Sequence, residues 1–161
     1  MTDNDATFSL ITEHVKHLLA TMSFSATVDC LKNKSDDQFN RLNIIIKVAD
    51  QGSLLIGNDG ATLNALEHVI RCVLRHKITD PVRVSVDVNG YRAERAQNLA
   101  RFAEEVAQKA TRDGQPIALK AMSPPDRRAI HTALAGRADI RTESLGEEPN
   151  RRVLIKPVSQ I

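Results

Sequence analysis

The stretch Leu54–Leu63, LLIGNDGATL, sets two glycines three residues apart, straight after an apolar run and at the mouth of a helix. Gly57 and Gly60 open backbone angles closed to other residues and remove side chains that would hold a ligand away. The helix expected from about Ala61 adds unpaired N–H groups and a partial positive charge. Such a turn is either plain chain reversal or a surface on which a sugar–phosphate backbone can lie. What flanks it decides between the two.

Upstream, Ile11, Val15, Leu18, Leu19 and Met22 recur at helical spacing, and Ser25–Leu31 suits a short strand. Asn33–Asp37 reads as a turn. RLNIIIKV then alternates, with Leu42, Ile44, Ile46 and Val48 on one face and Asn43 and Lys47 on the other. Downstream, Leu63, Leu66, Ile70, Val73 and Leu74 mark a helix, and VRVSVDV sets Val82, Val84, Val86 and Val88 on one face of a strand. The order helix, strand, strand, short apolar turn (LLI), glycine loop, helix, strand predicts a small α/β sheet with helices on one face.

Gly90-Tyr91-Arg92 opens a long alanine-rich helix to about Arg112, with Ala93, Ala96, Leu99, Ala100, Ala103, Val106 and Ala107 on its apolar stripe. Asp113-Gly114-Gln115-Pro116 ends it. IALK is a short strand candidate. Ser123-Pro124-Pro125-Asp126 starts a helix, with Ser as cap, Pro at the first helical position and an acid three residues on. Two strands, IRTESL and RRVLIKPV, follow around the turn Gly146–Asn150. The expected organisation is a domain over 1–88, a linking helix over 89–112 and a domain over 113–161.

The first half, with its strand, GxxG loop, helix and strand, resembles the KH domain in its type II, bacterial form. The GxxG loop of that domain clamps about four nucleotides. In the second half, PPDRRAIH holds Arg127 and His131 at Arg-x-x-x-His spacing on one helix face, and resembles the R-three-H domain. GYRAERAQNLARFAEEVA and GEEPNRRVLI look like segments of the Jag family, also called KhpB, in which a KH domain precedes an R-three-H domain. The resemblance covers nearly the whole chain. It implies an α+β chain of two modules: a KH-like unit with a three-stranded sheet, a long linking helix, then a small α/β unit. No counterpart of the separate Jag-N domain of many members is expected ahead of this KH-like unit, so roles resting on it are not transferred.

The resemblance also implies a non-catalytic bacterial regulator that binds single-stranded RNA, with single-stranded DNA as a second candidate. A small single-KH protein or self-association would supply protein partners. Ile56, Gly57, Asn58, Asp59 and Gly60 would form the nucleic-acid loop. Arg127, Arg128 and His131 would meet RNA from the helix that starts at Ser123-Pro124, Arg offering a planar donor fork and His a stacking ring. Arg151 and Arg152 are candidates to extend that surface, and alternation sends the two to opposite faces, so only one of them is expected to do so. Arg92 and Arg95 read as solvent charges. Asp59 stays open: a carboxylate within about 5 Å of a phosphate costs on the order of 1 kcal/mol, unless it caps the adjoining helix. A rival reading makes the KH-like unit a dimerisation surface and leaves nucleic acid to the second unit.

Composition bounds these readings. With no Trp, one Tyr and four Phe, the core must be aliphatic and base stacking is a scarce resource. The net charge of +2 hides a division: residues 1–89 carry 9 Lys and Arg against 11 acids, and residues 90–161 carry 13 against 9. Cys30 and Cys72 lack CxxC spacing and fit a reducing cytoplasm. No apolar stretch approaches the roughly 20 residues needed to span a bilayer. His14, His17 and Glu13 alone make a poor metal set, so neither a metal nor a cofactor is expected.

Overall fold

The computed structural model describes residues 3–34, 40–75 and 82–158, which divide into a unit over residues 1–91 and another over 92–161. In the first, α1 (Asp3–Thr21) leads into β1 (Ala26–Lys34), β2 (Asn40–Val48), α2 (Gly52–Ile56), a 3-10 turn at Asn58–Gly60, α3 (Ala61–Arg75) and β3 (Val82–Val88). The sheet order is β1-β2-β3. β1 runs antiparallel to β2, with Val28 opposite Ile46, whereas β3 is parallel to β2, with Val86 opposite Ile44. A parallel pair cannot be joined by a tight hairpin. The chain crosses over through α2, the glycine turn and α3, and this puts the turn where β2 ends and the helices begin.

Alternation in β2 works as expected: Leu42, Ile44, Ile46 and Val48 are buried, together with Val84, Val86 and Val88 of β3. Ile11, Val15 and Leu19 of α1 and Leu63, Leu66, Ile70 and Leu74 of α3 complete one aliphatic core. Met22 and Val73, placed on the inner faces by spacing, are exposed. The run LLI is helix α2 rather than irregular turn, and Asn33 and Lys34 belong to β1. Ser35–Asp37 of the expected turn lie outside the described residues.

The second unit contains α4 (Tyr91–Asp113, continuing from the first unit), β4 (Ile117–Ala121), α5 (Pro124–Leu134), β5 (Ile140–Leu145) and β6 (Arg152–Pro157). Its antiparallel sheet has the order β4-β6-β5. Ala103, Ala107 and Ala110 of α4 are fully buried against Ile130, Val153 and Ile155. Small side chains let the helix approach the sheet closely. From Leu99 onward, therefore, the expected linking helix is part of the second core, while Ala93 and Ala96 at its start are exposed.

Asn89 fixes the crossover. It follows β3 with φ of 53°, its backbone N–H donates to Ile46 O, and its amide both accepts from Val48 N–H at 3.0 Å and donates to Val48 O at 2.9 Å. The side chain thus imitates a neighbouring strand at the end of β2. Gly52 is small for the same reason: a Cβ there would stand 2.8 Å from the Asn89 amide nitrogen. Asn89→Ala would leave both Val48 groups unmatched, and a loss of about 2 kcal/mol in urea unfolding is expected.

Candidate nucleic-acid interface

In the first unit, α2 ends at Gly57 with φ of 71° and ψ of −175°, and Gly57 N–H donates to Ser53 O at 2.8 Å. Gly60 has φ of 80°. Both therefore occupy the half of backbone space that glycine enters without strain. Packing demands glycine as well. A Cβ on Gly57 would fall 2.1 Å from Thr62 Oγ1, and one on Gly60 would fall 3.0 Å from the Tyr91 ring. Thr62 and Tyr91 thus fill the room that the missing side chains leave.

The bend is closed from inside by its own chain and keeps only its rim outward. Gly60 is buried, Ile56 and Gly57 are half-buried, and Asn58, Asp59 and Ala61 are exposed. Asp59 sits within the 3-10 turn at φ 49° and ψ 29°, two residues before α3 begins. Its residue type suits the angle, since Asp and Asn tolerate the left-handed region better than most.

In the second unit, Ser123 caps α5 through its hydroxyl, which accepts from Asp126 N–H, and Pro124 opens the helix. The Asp126 carboxylate serves another purpose: buried, it accepts from Arg95 Nη2 of α4 at 3.0 Å. Arg95 is therefore an ion-pair partner rather than a solvent charge. Arg127 departs further from expectation. Its side chain is 9 % exposed, Nη1 donates to Met122 O and Nη2 to Glu148 Oε1, each at 2.6 Å. The planar donor fork faces the protein, gripping the end of β4 and the turn before β6.

His131 is turned inward too. Nδ1 lies 2.7 Å from Thr142 Oγ1 and Nε2 lies 2.9 Å from Ser144 Oγ, both on the helix-facing side of β5. Burial, and next the positive charge of Arg127, push its pKa below the usual histidine value. A neutral ring has one donor and one acceptor nitrogen, and two rotatable hydroxyls satisfy both. Arg127 and His131 share a helix face, as their spacing requires, and that face is the seam against β5 and the 146–150 turn.

Three arginines of the expected set do reach the surface. Arg128, Arg151 and Arg152 are exposed, and no ion pair or hydrogen bond of their side chains occurs among the described residues. Sequence reasoning missed Thr62, Tyr91, Thr142, Ser144 and Glu148. The β5 pair left a trace: Ile140, Thr142 and Ser144 share one strand face, and two hydroxyls continuing an inward apolar position announce a polar partner. Among the described residues no group of three metal-ligating side chains gathers, and no helix is long and apolar enough to cross a membrane.

Gly57→Ala should lower the thermal midpoint by several degrees, whereas Asn58→Ala, on the exposed rim, should leave it within about a degree. Because the folded-state pKa of His131 is depressed, the unfolded chain binds the proton more readily as pH falls below about 6.5. Stability from this residue is complete above that pH and declines as pH drops toward the folded-state value. Melting curves between pH 7.5 and 5 should show the decline, and His131→Gln should flatten it.

Residues 97–157 match the R-three-H domain family. Over 143 residues the chain is 32% identical to the RNA-binding protein KhpB of Clostridium symbiosum, covering 89% of this chain and 63% of that protein. It is 35% identical over 108 residues to the RNA-binding protein KhpB of Bacillus subtilis strain 168, covering 66% of this chain and 52% of that one. With the RNA-binding protein KhpB of Lactiplantibacillus plantarum it shares 36% identity over 102 residues, 63% of this chain and 32% of that protein. The chain spans less than two thirds of the length of these relatives. Its second unit, from within α4 to the end of β6, carries an R-three-H domain.

Proposed function

We propose that the chain is a bacterial RNA-binding protein of the KhpB family, its first unit a type II KH domain, and that it binds single-stranded RNA without chemical turnover. The observation that carries this is the conjunction of an R-three-H domain with similarity over 143 residues to a protein named for RNA binding. Post-transcriptional regulation in the cytoplasm belongs to the same proposal.

The contacts are assigned to groups that face solvent. In the first unit these are the rim of the glycine bend, Asn58 and Asp59, at the positive end of α3. In the second they are Arg128, Arg151 and Arg152, as phosphate partners. Arg127 and His131 then act as positioning residues: they fix α5 against β5 and the 146–150 turn, and so fix where Arg128 and Arg151 emerge. Two weak contacts on one chain raise affinity through effective concentration. Affinity should fall steeply with salt, because phosphate charge supplies much of it.

A second reading, protein association through the first unit, is favoured by one observation. A cleft between α1 and α3 is lined by Val15, Leu18, Ile70 and Val73 together with His14 and His17. Leu10, Val69 and Val73 are exposed large apolar side chains of the same two helices. Val73→Asp would shift the oligomeric state in light scattering if this reading held.

Anisotropy with labelled single-stranded RNA tests the first reading. Arg128→Ala with Arg151→Ala should weaken binding about tenfold. Asp59→Asn removes a charge and keeps a side chain suited to the left-handed angle, so it should tighten binding by up to about fivefold. Unchanged affinity in Asp59→Asn, with a changed oligomeric state in Val73→Asp, would transfer the first unit to the association reading.

A further inference from the structure

The helices of the second unit pack on one face of its sheet. In β6, Val153 and Ile155 point into the core at 0 % exposure. Strand alternation therefore sends Arg152, Leu154 and Lys156 to the opposite face. The register with β5 places Arg141 opposite Lys156, Glu143 opposite Leu154, and Leu145 opposite Arg152. On these two strands the open face carries three cations and one carboxylate around an aliphatic centre.

Like charges directly opposed across a sheet are unfavourable. Glu143 relieves half of the Arg141–Lys156 pair by accepting from Lys156 Nζ at 2.6 Å. The side chains of Arg141 and Arg152 make no ion pair among the described residues, and both are exposed. A polyanion laid across the strands would neutralise what the sheet itself leaves unbalanced.

We propose that this open face takes the phosphodiester backbone of single-stranded RNA through Arg141 and Lys156, which extend across the sheet the contact already assigned to Arg152. The proposal rests on the RNA-binding reading above. Arg152 and Lys156 stand about 13 Å apart along β6 with Leu154 midway. Phosphates held at the two ends leave the intervening sugar and base over an aliphatic side chain. No aromatic ring lies on this face of the described strands, so the surface holds a backbone and does not read bases.

The test is anisotropy of the full chain with labelled single-stranded RNA across a salt series. Arg141→Ala with Lys156→Ala should bind about tenfold more weakly near 0.1 M salt, with a log–log salt slope shallower by about 1.4, as for two lost phosphate contacts. Glu143→Gln should act in the opposite direction and bind about twofold tighter, because it frees Lys156 from its carboxylate. Thermal midpoints within about a degree of the parent would show that both variants keep the fold. If the parent binds RNA and neither variant shifts affinity or slope, the open face is not used and the RNA-binding reading survives. If the parent fails to bind at low salt, both fall together. Unchanged RNA affinity with an altered oligomeric state in light scattering would assign the face to a protein partner and overturn the proposal.

Discussion

A guanidinium withdrawn from water is tolerated only where partners stand ready for it, and in the second unit that demand organises the site. Arg127 is buried, and its two terminal nitrogens reach the carbonyl of Met122 and the carboxylate of Glu148. One side chain on the first turn of α5 thereby joins the end of β4 to the turn that precedes β6. Met122 N–H donates in turn to Arg151 O, so the backbone of Arg151 is pinned to the same point. Only the arginine of the pair is withdrawn, since Glu148 is exposed, so removing Glu148 would leave the guanidinium charge in a poor solvent without its counter-ion. The exposed Arg128 and Arg151 are held by this clamp, one through the helix that carries Arg127 and the other through its own main chain.

The glycine bend of the first unit is built under the same constraint of space. Thr62 and Tyr91 occupy the volume next to Gly57 and Gly60, and Asn89 ties the end of β2 to the end of β3 beside Gly52. In both units the most recognisable letters of the motif are turned inward. Glycines are there because φ and packing demand them, and the Arg-x-x-x-His pair because a helix must be fastened to a sheet. The side chains that face outward are those of their neighbours: Asn58 and Asp59 on one unit, Arg128, Arg151 and Arg152 on the other.

That division explains what was legible beforehand. Period-two alternation in β2 and β3 and the aliphatic stripes of α1 and α3 named most of the first core, because burial imposes those periods on any sequence that folds this way. The Ser-Pro cap of α5 was readable since its signal is local. Arg127 was not, because four-residue spacing fixes only that two side chains share a face and says nothing of what that face meets. The partners that decide the matter, Glu148 and the hydroxyls of Thr142 and Ser144, lie 11 to 21 residues away in sequence. The role of α4 was misjudged for a related reason. An alanine-rich stripe announces close packing without naming the sheet it packs on.

Charge distribution links the fold to the proposed chemistry. Residues 90–161 carry a surplus of four positive charges and residues 1–89 a deficit of two. The cations of the basic half are not equivalent: Arg95, Arg127 and Arg137 are engaged by Asp126, Glu148, and Glu104 with Asp139. The Arg137 bond holds the Asp139 carboxyl near a pKa of about 2, so that pair stays charged throughout the physiological range. Setting such internal pairs aside leaves Arg128, Arg141, Arg151 and Arg152 as the arginines of that half facing only water among the described residues. An interface built from these would draw on phosphate charge and guanidinium geometry, with hardly any aromatic surface to discriminate one base from another. Selectivity among RNAs would then have to come from the spacing of contacts along the strand rather than from the recognition of individual bases.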